Sequence, residues 1–260
     1  MGALAGLRIV VTRPAGQAAA LAGLIRSAGG VPVLLPTIDI VALDDGTELD
    51  AALGAIADGD LVVFVSANAV QHGFDRRIDP SGARGAAWPA GVRVAATGPA
   101  TAAQLSARGI QNVIHPPARF DSEGLIAELD RIGVAPQRVL IVRGTGGREW
   151  LLDHFTQRGI TVQAVASYAR VRGSADVAPL LRLAASQMLS AVTVTSSEGG
   201  ENLMAMLGAG AAAVRDIPLF VPHPRIAARM RALDCTNVID TAGGDAGLMA
   251  GLAAHFAKAA

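Results

Sequence analysis

Laid on itself at a shift of 130 residues, the chain superposes several uncommon features at once. Arg13 falls on Arg143, Gly16 on Gly146, Leu21 on Leu151, Gly29 on Gly159 and Ser66 on Ser196. Towards the C-terminus the shift drops to 125, and Gly98-Pro99 with Ala102-Ala103 meets His223-Pro224 with Ala227-Ala228. A repeat of this size means that one supersecondary unit has been used twice, so both copies must solve the same folding problem. The constraint is strong because it ties together the contexts strand-Arg-loop-helix and strand-Ser-helix, not single residues.

Within each copy, short apolar runs rich in Val, Ile and Leu alternate with amphipathic stretches rich in Ala and Leu, the pattern of parallel strands covered by helices. Strands are predicted at Leu7 to Val11, Val31 to Leu35, Leu61 to Val65, Val92 to Ala95, Val113 to His115, Val139 to Val142, Thr161 to Ser167, Ala191 to Val194, Leu219 to Val221 and Val238 to Asp240. Helices fill most of the gaps, including Gly16 to Ala28, Ala100 to Ala107, Arg148 to Gln157 and Arg225 to Leu233. The fold class is α/β. A border halfway along would cut the helical stretch Ala127 to Ile132, which has no linker composition. Leu35-Pro36-Thr37-Ile38 and Val165-Ala166-Ser167-Tyr168 lie instead at the same phase of the repeat, each an extended stretch after the second strand of its copy. Crossing between lobes at both places gives one lobe of residues 38–170 and a discontinuous one of 1–37 plus 171–260, joined by a two-stranded hinge.

Composition narrows the function. At 260 residues and 51% hydrophobic, the chain can bury two modest cores. It has no uninterrupted apolar run of about 18 residues, and Arg8 stands inside the first apolar run, so it is expected to be neither exported nor membrane-spanning. Lys plus Arg and Asp plus Glu are both 22, which leaves no net field towards nucleic acid or an anionic membrane. Any anionic ligand must therefore be met locally. Lys258 is the one lysine, so a buried Schiff-base amine is excluded. Cys235 is the one cysteine, which rules out an internal disulfide and fits a reducing cytoplasm. The five histidines, at 72, 115, 154, 223 and 255, have no metal-site spacing, and no Gly-x-Ser-x-Gly elbow occurs.

In open parallel sheets ligands collect at the carboxyl ends of strands, where helix amides point outwards. Thr12-Arg13-Pro14 and Val142-Arg143-Gly144 each leave a strand, pass an arginine and approach a helix, so each can hold a carboxylate or serve as a plain βα turn. Gly144-Thr145-Gly146 lacks the third glycine of a dinucleotide fingerprint, and no P-loop Gly-Lys follows. Ser66-Ala67-Asn68 and Ser196-Ser197 place hydroxyls and an amide on strand-to-helix turns, as caps or as ligand contacts. Thr97-Gly98-Pro99-Ala100-Thr101 opens another helix, with Thr97 or Thr101 free to bond. Tyr168, the one tyrosine, stands at the predicted lobe crossing, where it either packs or faces a cleft.

Together, Val11-Thr12-Arg13-Pro14, Phe64-Val65-Ser66-Ala67-Asn68-Ala69-Val70, Thr97-Gly98-Pro99-Ala100-Thr101-Ala102, Val142-Arg143-Gly144 with Arg148-Glu149, Tyr168-Ala169-Arg170 and Thr195-Ser196-Ser197 resemble the uroporphyrinogen-III synthase family in order and spacing. The resemblance implies two flavodoxin-like α/β lobes with a tetrapyrrole in the cleft, no cofactor, and cyclisation of hydroxymethylbilane to uroporphyrinogen III. It implies Tyr168 as the acid, and substrate contacts from Thr12, Arg13, Ser66, Ala67, Asn68, Thr97, Gly98, Thr101, Arg143, Gly144, Ser196 and Ser197. A cytoplasmic monomer in transient contact with hydroxymethylbilane synthase is the expected form. The chain departs from the family at His223-Pro224-Arg225-Ile226, where Gly-x-x-Thr is common. Two other readings remain at this point: a two-lobed module that binds a small anion without chemistry, and a nucleotide- or flavin-using enzyme, which the missing phosphate loops disfavour.

Overall fold

The computed structural model describes residues 2–77, 87–146 and 149–257. The chain divides into two compact units, Met1–Asp39 with Val171–Ala260, and Ile40–Arg170. The first unit opens with β1 (Arg8–Val11), α1 (Ala19–Ser27) and β2 (Val31–Leu34). The chain then passes through β3 (Ile38–Ala42), α2 (Thr47–Gly54), β4 (Leu61–Phe64), α3 (Ala67–Gly73), β5 (Arg93–Ala96), α4 (Pro99–Ser106), α5 (Ser122–Arg131), β6 (Arg138–Gly144), α6 (Trp150–Gln157) and β7 (Thr161–Arg172). It returns to the first unit for α7 (Ala178–Ala185), β8 (Ala191–Thr193), α8 (Ser197–Leu207), β9 (Leu219–Val221), α9 (Pro224–Arg231), β10 (Val238–Asp240) and α10 (Gly244–Ala257).

Each unit is built on one five-stranded sheet, ordered β10-β9-β8-β1-β2 in the first and β3-β7-β6-β4-β5 in the second. β1 pairs in parallel with β2 and β8, and β6 pairs in parallel with β7 and β4. The repeat thus maps onto structure: β1 and β6 hold equivalent central places, as do β8 and β4, and β9 and β5. Where the first unit has β10, the second has one bridge, Ala95 to Ile114, so the strand predicted at Val113 to His115 does not form. Those residues precede Pro116-Pro117, whose rings remove the donors a longer ladder needs.

Both faces of each sheet are covered, which is why the strands read as continuous apolar runs. In β4, Val62 and Phe64 enter one core while Leu61 and Val63 enter another. In β1, Val10 and its neighbours Ile9 and Val11 are divided in the same way. Gly29 and Gly159, matched in the repeat, both end helices at positive φ, 86° and 72°, where a side chain would be strained. The helix predicted from Gly16 splits into a 3-10 turn, Ala15–Gln17, and α1, because the turn follows directly on Pro14. The helix predicted from Arg148 begins at Trp150; Arg148 itself lies outside the described residues.

Two helix glycines should respond oppositely to the same substitution. Gly23 in α1 has open space around it, so Gly23→Ala should gain about 1 kcal/mol from helix propensity. A Cβ on Gly124 in α5 would fall on the carbonyl oxygen of Arg119, so Gly124→Ala should lose about 1–3 kcal/mol despite that propensity. Urea denaturation measures both. His154 on α6 stacks on Trp150 at 5.0 Å. Burial, reinforced by Arg158 and opposed by Asp130, holds its pKa below the ordinary 6.5. A histidine harder to protonate when folded contributes stability above its unfolded pKa and loses it as pH falls through that value. Stability should drop as pH falls through the ordinary histidine value of about 6.5, and His154→Gln should flatten that drop in pH-dependent unfolding curves.

Candidate functional site

In the second unit the carboxyl ends of β7, β6, β4 and β5 carry a continuous row of the expected residues. A β-bulge starts it. Arg143 lies opposite Ala166 but Gly144 lies opposite Tyr168, leaving Ser167 as the extra residue. The Ser167 hydroxyl donates to the Arg143 carbonyl at 3.2 Å and fixes the kink. As a result Tyr168 turns its ring onto Gly144, where any Cβ would sit 2.5 Å from ring carbons. The ring is 5% exposed and stands 5.8 Å from that of His72, so Tyr168 packs. Its hydroxyl nevertheless reaches Ser66 Oγ at 3.2 Å. Ser66 caps α3 by accepting from Ala69 N at 3.1 Å, and Ala67 and Asn68 form the first turn. Next along the row, the Thr97 hydroxyl donates to the Val65 carbonyl at 2.9 Å, and Gly98 opens α4. Tyr168, Arg143, Gly144, Thr145, Ser122 and Arg170 line a cavity of about 140 Å3 at this edge, backed by Val65, Ile141 and Leu151.

In the first unit the Thr12 hydroxyl donates to the Thr193 carbonyl at 2.8 Å, tying the end of β1 to that of β8. Ser196 caps α8, accepting from Gly199 N at 3.0 Å, as Ser66 does in the other unit. Ser197 Oγ is shielded from solvent and has no hydrogen-bond partner among the described residues. His223 replaces the bare glycine at the start of α9, and its Nδ1 accepts from Arg225 N at 3.1 Å. Thus the ring caps the helix that Gly98 leaves uncapped by any side chain in the matching place.

The model of the family described as uroporphyrinogen-III synthase HemD matches residues 19–247. The chain belongs to the uroporphyrinogen-III synthase family. It is 35% identical over 167 residues to the uroporphyrinogen-III synthase of Synechococcus elongatus, an alignment covering 64% of this chain and 61% of that one. It is 30% identical over 192 residues to that of Salmonella typhimurium, covering 74% and 76%. A uroporphyrinogen III synthase structure from Thermus thermophilus superposes with a TM-score of 0.55 at 13% identity, over 98% of this chain and 100% of that one, which speaks for the fold.

Several family-type residues have local work that the sequence does not reveal. Arg13 is not a free cation: its Nη2 meets Asp245 at 2.6 Å, in the first turn of α10. Arg143 meets Glu149 at 2.9 Å. The expectation that Thr97 or Thr101 is free to bond is also corrected, because Thr97 has donated its proton to the backbone and Thr101 is 5% exposed, packed into its unit. Conversely, Ser122, Thr145 and Arg170 enter the cavity lining without having been singled out; only Arg170 carried a signal, by following Tyr168 in the family-like stretch. Gly144→Ala should push the Tyr168 ring off its floor and cost about 1–3 kcal/mol in urea unfolding. Ser66→Ala should cost about 1 kcal/mol through the lost cap.

Proposed function

We propose that this chain is the cyclising lyase that converts hydroxymethylbilane into uroporphyrinogen III, with loss of water and inversion of ring D. The family match along residues 19–247 carries the reading. A pyrrole nitrogen pushes hydroxide from the terminal carbon, so one positioned donor suffices as acid. Tyr168 is that donor in this reading. Its hydroxyl can hand a proton to the leaving oxygen while Ser66 Oγ, 3.2 Å away, holds the phenol in place. The leaving group departs as water, and the resulting azafulvene is attacked by ring D at its substituted carbon. The spiro intermediate then fragments and recloses with that ring inverted, and loss of the ring proton completes the macrocycle. Unaided closure takes the unsubstituted carbon and gives the type I isomer, so the enzyme's larger task is geometric. Thr12, Arg13, Ser66, Ala67, Asn68, Gly98, Arg143, Gly144, Ser196 and Ser197 are proposed to hold the substrate's carboxylates and backbone, with Thr97 and Thr101 contributing backbone groups and not their hydroxyls. The same reading has the enzyme working as a cofactor-free cytoplasmic monomer that receives its substrate in transient contact with hydroxymethylbilane synthase.

Incubation with hydroxymethylbilane followed by separation of the product isomers tests the activity, and absence of the type III isomer refutes it. Tyr168→Phe should slow isomer-III formation in single turnover by roughly tenfold to a thousandfold with the fold intact by circular dichroism. Full rate and isomer fidelity in that variant would return Tyr168 to packing alone. Arg143→Ala should raise KM with kcat little changed, since it binds ground and transition states alike. Glu149→Gln, by releasing the guanidinium, should lower KM by roughly two- to fivefold.

A further inference from the structure

We propose that Phe120 is the plate on which one pyrrole ring of the substrate rests, an assignment that stands on the proposed function. Phe120 is 57% exposed, the most exposed of the large apolar side chains among the described residues. A lone exposed apolar residue needs no explanation. This one is distinguished by its place, its fixed backbone and its counterpart in the repeat.

Phe120 continues the row that begins at Tyr168. From the Tyr168 hydroxyl the row passes to Ser66 and across the Thr97 bond to Val65, and ends at Gly98. A side chain on Gly98 would start 3.4 Å from Phe120 Cβ and 4.0 Å from its Cγ. Because residue 98 is glycine, that flank of the ring stays uncovered. The Tyr168 hydroxyl reaches the end of β4, and Gly98 lies at the end of its neighbour β5, about one strand spacing or roughly 5 Å further along. Tyr168 and Phe120 therefore border one continuous stretch of strand ends along which a tetrapyrrole can lie.

The backbone under Phe120 is held on both sides. Asp121 caps α5, its Oδ1 accepting from Gly124 N at 2.8 Å, and its other oxygen accepts from Arg119 Nε at 2.6 Å. Asp121 N donates to the Arg119 carbonyl at 3.0 Å, and Gly124 leaves room for that carbonyl. An aromatic ring on a fixed stem loses little freedom when a ligand covers it. Nor does the fold demand a ring here: Gly124 and Gly247 make the same close approach, to the carbonyls of Arg119 and Ala242, and that match sets Phe120 on Gly243. The first unit has no side chain at this place, whereas the second presents a bare apolar face. Such a face suits the carbon skeleton of an electron-rich pyrrole and cannot bind its carboxylates, which orients the ring with its acidic arms turned away.

The test is steady-state kinetics and isomer analysis on Phe120→Ala, Phe120→Leu and Phe120→Tyr beside the parent enzyme, with thermal unfolding of each. Phe120→Ala should raise KM by roughly three- to tenfold, as loss of one ring contact predicts, with kcat little changed. Phe120→Tyr should restore KM, Phe120→Leu should fall between, and all three should melt with the parent because the side chain is exposed. An unchanged KM in Phe120→Ala overturns the assignment, as does a leucine variant equal to the tyrosine variant, since ring stacking would then contribute nothing. A lowered melting midpoint that accounts for the KM change would also overturn it. Failure of the parent enzyme itself to form isomer III would instead sink the activity on which the assignment stands.

Discussion

Burial of both faces of a parallel sheet is the constraint on which the rest depends. Once Val62 and Phe64 are committed to one core and Leu61 and Val63 to another, β4 has no side chain left with which to meet a ligand. Chemistry is displaced to the residues just past the strand ends, where the backbone has stopped pairing and helix amides begin. In the second unit Ser66, Thr97 and Gly98 occupy that edge, and the bulge in β7 brings the Tyr168 ring to it. The arrangement makes the site easy to position, because the same cores that stabilise the fold also aim the strand ends.

The repeat shows which of these features serve folding and which are open to change. Ser66 and Ser196 cap their helices identically, at 3.1 and 3.0 Å, so a capping hydroxyl there is part of the scaffold in both units. At the next strand end the copies part: Gly98 leaves the amides of α4 bare, while His223 fills the corresponding place with an imidazole. Both satisfy the same turn, with Pro at the first helical position presetting φ. Difference between the copies at an equivalent position therefore marks what the turn itself leaves free to vary.

Strands buried on both faces were legible because a period-free apolar run bounded by turn residues has few other homes in a chain of alternating elements. The α/β class followed from the same pattern. Val113 to His115 misled for a local reason, as apolar composition was read without the donor loss at Pro116-Pro117. The bulge at Ser167 was invisible because it depends on register, which a strand acquires only from its partner. With it went the cause of Gly144, whose missing side chain matters only once Tyr168 lies across it. Arginines were seen as cations but not as ion pairs, since the acid that answers Arg13 is Asp245, at the far end of the chain.

Those ion pairs change how the candidate site should be thought to work. A polyanionic substrate offered free guanidinium groups would be held tightly before any bond changed, and tight ground-state binding adds nothing to the chemical step. With Arg13 on Asp245 and Arg143 on Glu149, each cation is partly answered already, and a carboxylate bound there as proposed would gain only the difference. The neutral balance of the chain, 22 acidic against 22 basic residues, points the same way. Binding strength is then set less by charge than by how many weak contacts the strand-end row can make at once. That is the condition under which shape selects one closure of a flexible chain over another, because a mispositioned ring forfeits several contacts together while a carboxylate on a bare arginine would tolerate many poses.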